Sequence, residues 1–213
     1  MAVVITAKRG RGDKIHVYAD GEYLVTVDQE FWYSEGIHPG SELSVEEVES
    51  FRQRAESRRA YNKGLNILSY APKSRRALIE RLMRDEIPRE QAEQAADQLE
   101  EYGFLNDADY AALYAEELMR TRKLSARGAV TKLMAKGIPR ELAQEAVQAL
   151  SFDEEEGIEA LLRGKLSYFD RSPRDRDRAV AALARRGYAY SDIRRVMERL
   201  NQESDDGEFD YDL

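Results

Sequence analysis

Cations are the residues of this sequence best placed to do chemistry. Between Leu118 and Arg140 stand seven of them, Arg120, Arg122, Lys123, Arg127, Lys132, Lys136 and Arg140, without a single acid. Exposed helices ordinarily mix signs, because charges three and four residues apart pair along one face. An acid-free run presents an unneutralised positive field, and the chemistry of such a field is attraction of an anionic partner. The plainer reading is a solvated helix face. A second basic region, Ala160 to Arg199, holds eleven cations against five acids. The formal charge of −8 hides both regions, because Glu203 to Leu213 carries six acids and no base, leaving −2 for residues 1–202.

Other chemistries have no residues to work with. There is no cysteine, which excludes a disulfide scaffold, a thiolate metal site and a cysteine nucleophile. The two histidines, His16 and His38, are not set at metal-ligand spacing with carboxylates. No phosphate-loop, nucleophile-elbow or dinucleotide fingerprint occurs. Asp153-Glu-Glu-Glu156 stands at a helix start, where acids complement the helix dipole and neighbouring carboxylates point in different directions. The expectation is a protein with no catalytic residues, metal or cofactor. Hydrophobic residues at 42% beside 35% charged supply a core, and no apolar run of membrane-spanning length interrupts the chain. Met1 to Gly10 lacks a secretory leader pattern, so a soluble cytoplasmic protein is expected.

The elements that must position the cations are mostly helical. The first 43 residues are the exception, a small antiparallel β segment. Val3-Val4-Ile5 is an apolar run, Ile15, Val17 and Ala19 alternate with polar neighbours, and Asp20-Gly21 before Tyr23 to Val27 signals a two-residue hairpin. Arg9-Gly10-Arg11-Gly12-Asp13 fits the preceding turn, and Phe31-Trp32-Tyr33 reads as an apolar plug. Ser44 with Glu47 is a capping box, opening a linking helical region over 44–72.

An internal repeat comes next. Residues 74–99 match 125–150 at eleven of twenty-six positions, among them Ser74/Ser125, Leu82/Leu133 and Ile87-Pro-Arg-Glu90/Ile138-Pro-Arg-Glu141. A weaker third copy places Asp175 at the cap, Leu183 at the apolar site and Gly187 opposite Gly137. Ser74, Ser125 and Asp175 read as N-caps, Gly137 and Gly187 as left-handed helix ends, and Pro88 and Pro139 as first helical residues. Glu86 replaces glycine in the first copy, which predicts a looser turn there. A preceding helix completes each unit, with Tyr110, Leu113, Tyr114 and Leu118 forming the apolar face in the second. The fold expected is mainly α: three tandem three-helix repeats over 61–105, 106–152 and 153–202, stacked in a curved array, ahead of a disordered acidic tail, 203–213.

Leu65-Asn-Ile-Leu-Ser-Tyr-Ala-Pro-Lys-Ser74, Tyr102-Gly-Phe-Leu-Asn-Asp-Ala-Asp-Tyr-Ala111 and Leu133-Met-Ala-Lys-Gly-Ile138, in tandem behind the β segment, resemble the RecX family, bacterial regulators of the RecA recombinase. The resemblance spans residues 1–202. It implies a monomeric modulator that docks on the RecA–DNA filament, inhibits RecA in recombination, repair and the SOS response, and touches single- or double-stranded DNA. The acidic tail departs from that pattern. The residues expected to attract the partner are Arg76 and Arg81 in the first repeat, Arg120, Arg122, Lys123, Arg127, Lys132 and Lys136 in the second, and Arg185 and Arg186 in the third, with the tail competing for the same face. Two other readings stay open: a free-standing DNA-binding regulator with helix-turn-helix-like units, and a helical-repeat scaffold that binds protein only.

Overall fold

The structure is a computed structural model and describes residues 2–207, forming four strands and ten α-helices. The chain divides into two compact units, residues 1–106 and 107–213.

The first unit opens with β1 (Ala2–Arg9), β2 (Lys14–Ala19) and β3 (Glu22–Asp28). With β4 (Glu42–Ser44) they form an antiparallel sheet in the order β3-β2-β1-β4. Asp20 and Gly21 both hold positive φ, 48° and 86°, as the hairpin signal requires. Ile5, Val17 and Val27 pack on Phe31 and Trp32 of α1 (Gln29–Ser34) and on Phe51 of α2 (Val45–Tyr70). The plug therefore consists of Phe31 and Trp32, while Tyr33 is exposed. Helix α2 is a single 26-residue helix that starts with the expected capping box. Its C-terminal half combines with α3 (Arg75–Arg84) and α4 (Arg89–Glu101) to make the first repeat, centred on Leu78, Leu82 and Leu99.

The second unit contains two repeats. The first of these has α5 (Asp107–Glu116), a π turn (Glu117–Thr121), α6 (Ala126–Ala135) and α7 (Arg140–Gln148). The other has α8 (Glu154–Arg163), α9 (Pro173–Ala184) and α10 (Tyr190–Gly207). Leu82, Leu133 and Leu183 are each fully buried, at equivalent places in three separate cores. Each is succeeded by the same helix ending. Ile87, Ile138 and Tyr188 donate their backbone N–H to the carbonyls of Leu82, Leu133 and Leu183, the six-to-one bond of a Schellman turn.

Several local expectations need correction. Glu86 adopts φ 65° in the same turn that Gly137 and Gly187 make at 93° and 95°, so that turn is not looser; the buried leucine and isoleucine on either side dictate it. Helix α9 is capped by Ser172, with Pro173 first in the helix and Asp175 in its first turn, three residues after the cap. Pro88 and Pro139 occupy cap positions one residue earlier than expected. Leu113 is exposed, and Ala111, Ala115, Leu118 and Met119 form the buried face, because the π turn rotates the later residues relative to a regular helix. The acidic segment does not begin as coil: α10 continues to Gly207, and Glu203 pairs with Arg163 at 2.7 Å. Residues 208–213 lie outside the described residues.

Candidate functional site

The site is assembled around the N-terminus of α6. Ser125 is buried, and Gly128 donates its N–H to the Ser125 hydroxyl at 3.1 Å, the N-cap bond that the repeat predicts. The next amide, Ala126, donates to Glu154 Oε1 at 2.8 Å, so an acid of α8 satisfies the positive end of α6. The turn after α9 then docks on this helix start. The Arg186 carbonyl accepts from the Ser125 amide at 3.1 Å and from its hydroxyl at 3.3 Å.

Two glycines permit the approach. A Cβ on Gly128 would stand 2.1 Å from the Arg186 carbonyl oxygen, and one on Gly187 would stand 2.6 Å from the Gly128 nitrogen. Neither clash involves a flexible side chain, so no larger residue fits. Tyr188 completes the join. It occupies the place held by Ile87 and Ile138 in the other repeats, and its hydroxyl donates to the Lys123 carbonyl at 3.1 Å. Burial pushes the Tyr188 phenol well above its ordinary pKa, so it remains a donor. Lys123 itself sits at φ 53°, a conformation that this bond helps to hold.

The join brings Arg127, on the first turn of α6, together with the Arg185–Arg186 turn of the third repeat. Arg186 is turned inward and donates to the Ala182 carbonyl at 3.0 Å, whereas Arg185 is exposed. Lys132 and Lys136 are exposed toward the other end of α6.

The candidate cations separate into two kinds. Arg120 pairs with Glu116 at 3.4 Å, and Arg122 pairs with Glu117 at 2.6 Å while lying over the Tyr114 ring. The bond from Glu117 raises the pKa of the Arg122 guanidinium further. In the first unit, Arg76 faces Glu80 at 3.4 Å and Arg81 faces Asp85 at 3.5 Å. Each of these four is answered by an acid on its own helix or helix end. Among the described residues, Lys123, Arg127, Lys132, Arg140 and Arg185 form no ion pair. The pairing of Arg120 and Arg122 is legible in the sequence at helical spacing, but only when the window extends upstream of Leu118. Arg140, the first residue of α7, belongs with the unpaired group and was not among the expected site residues.

No group of three or more potential metal ligands occurs among the described residues, and no helix of theirs is long and apolar enough to cross a membrane. The arrangement offers positive charge on a rigid helical surface.

The chain's relatives share this frame. Residues 60–99 match the model of the first three-helix domain of RecX, and residues 106–147 match that of the second. A regulatory protein RecX from Lactobacillus gasseri is 28% identical, aligned over 96% of this chain and 76% of its own length. One from Streptomyces coelicolor is 36% identical over 68% of this chain and 79% of its own length. Among solved structures, a crystal structure of regulatory protein RecX superposes with a TM-score of 0.69 at 20% identity, covering 93% of this chain and all of that one. RecX from Lactobacillus salivarius gives 0.58 at 22% identity, covering 69% and 97%. The two matched domains fall on the repeats capped by Ser74 and Ser125, and the Streptomyces protein is matched across most of its length: the chain belongs to the RecX family of regulatory proteins.

Proposed function

We propose that this protein is a monomeric modulator that binds the RecA–DNA filament and inhibits RecA, thereby regulating recombination, DNA repair and the SOS response. Membership of a regulatory family supports the reading at the level of role. The observation that carries the binding mode is the set of cations left without acids, with Arg127 and Arg185 brought together at the join and Lys132 further along α6. A charge already paired within the chain gains less from an outside anion, because it must exchange one partner for another. Lys123, Arg127, Lys132 and Arg185 are therefore the main attractants, with Lys136 contributing, and Arg76, Arg81, Arg120, Arg122 and Arg186 are secondary.

The experiment is a comparison of affinities for RecA-coated single strand, bare single strand and bare duplex over a salt series. The proposal expects the coated filament to be bound most tightly, with an affinity that falls as salt rises. Equal affinity for bare duplex would make the protein a free-standing DNA binder. Filament binding that ignores salt would make it a scaffold for protein alone.

A further inference from the structure

The loop between α8 and α9 borders two shallow depressions, of about 600 and 340 Å³, that share Phe169 and Asp170. Three features make them a receptor for a particular kind of chain. The floor is apolar, from Phe169, Leu162 and Leu200. The rim is basic: Arg171 and Arg176 line the larger depression, and among the described residues neither forms an ion pair. The third feature is the position of α10, which contributes Asn201 to one depression and Leu200 and Glu203 to the other, shortly before the helix ends at Gly207.

The segment after Gly207 has the complementary chemistry. Glu208-Phe209-Asp210-Tyr211-Asp212-Leu213 alternates strictly, acids at even positions and apolar residues at odd ones. In an extended chain that alternation puts carboxylates on one side and Phe209, Tyr211 and Leu213 on the other. Six extended residues reach about 20 Å. Asn201 lies about 9 Å back along the helix from Gly207, at 1.5 Å per residue. A glycine at the helix end suits a reversal of direction. Length, exit point and charge therefore agree.

We propose that the C-terminal hexapeptide of this chain folds back on its own third repeat, setting its apolar residues over Phe169 and its carboxylates against Arg171 and Arg176. The groove is a docking site for an acidic, aromatic-bearing peptide, and the chain carries that peptide itself. The site is separate from the α6 surface assigned above and does not depend on RecA.

The chain has no cysteine, so a single label can be placed by substitution. An Asp212→Cys variant of the full chain, carrying a nitroxide and labelled with ¹⁵N, is examined by amide NMR. Glu208 and Asp210 remain in place. The expected result is loss of most amide intensity over residues 169–176 and at Asn201, with recovery in the Arg171→Glu/Arg176→Glu background and in high salt. Broadening confined to the end of α10, or centred on Arg127 and Lys132, overturns the proposal. A mixture of spin-labelled unenriched chain with unlabelled ¹⁵N chain identifies exchange between molecules: broadening of the same strength there overturns folding back within one chain.

Discussion

Glu86 holds a left-handed conformation that its counterparts Gly137 and Gly187 adopt without steric penalty. A residue with a Cβ loses about 1–2 kcal/mol there, of which glycine's greater unfolded freedom returns about 0.5–1 kcal/mol. Glu86→Gly should therefore stabilise the first unit by up to about 1 kcal/mol in chemical denaturation, and a loss of stability would contradict the assignment. Gly128 predicts the opposite sign. Gly128→Ala drives a methyl against the Arg186 carbonyl and should destabilise the second unit by about 1–3 kcal/mol or more. Leu133→Ala should cost about 2–5 kcal/mol, as expected for a fully buried leucine. Ser74, Ser125, Gly137 and Gly187 were legible in the sequence because cap chemistry is local. Glu86 was not, since its conformation is imposed by flanking core residues. The reason for Gly128 lies in a turn far along the chain, which local patterns cannot show.

Among the elements, the joint between the second and third repeats is where sequence reasoning stopped short. Repeat spacing located α6 and the turn after α9, but their contact depends on Tyr188 reaching the Lys123 carbonyl. Tyr188→Phe should leave that acceptor unsatisfied and lower the stability of the second unit by about 1–3 kcal/mol; unchanged unfolding would show that the bond is dispensable. The α8–α10 contact supplies a pH dependence. Glu159 is hydrogen-bonded by Arg163 and also meets Arg199, each at 2.7 Å, and Arg163 above all holds its carboxyl below the ordinary range. A depressed carboxylate contributes stability above its unfolded pKa, about 4.3, and that contribution is lost as pH falls through the lower folded value. Thermal unfolding monitored from pH 6 to 3 should show a small acid-side decline that Glu159→Gln reduces. The effect is small because the network is exposed. An identical acid profile for the variant would assign the decline to other groups.

For the whole molecule, the main outline was readable from residues alone: a small sheet, a long capped helix, and repeats whose equivalent leucines are buried alike. What escaped was either short or three-dimensional. Strand β4 has only three residues, too few to show alternation. The cation run looked uniform in sequence, yet Arg120 and Arg122 are answered by Glu116 and Glu117 while Arg127 and Lys132 are not. That division sharpens the central claim, which is that the unpaired cations of α6 attract the filament. It is tested most directly by inhibition of RecA ATP hydrolysis across a salt series, comparing the parent with Arg127→Glu/Lys132→Glu. Both residues are exposed, so the variant should fold with a stability change of about half a kcal/mol or less per site. The account predicts weaker inhibition and a salt dependence shallower by about one unit of log–log slope for each phosphate no longer neutralised. Inhibition equal to the parent's at every salt concentration would contradict it and leave the α6 cations as a solvated face.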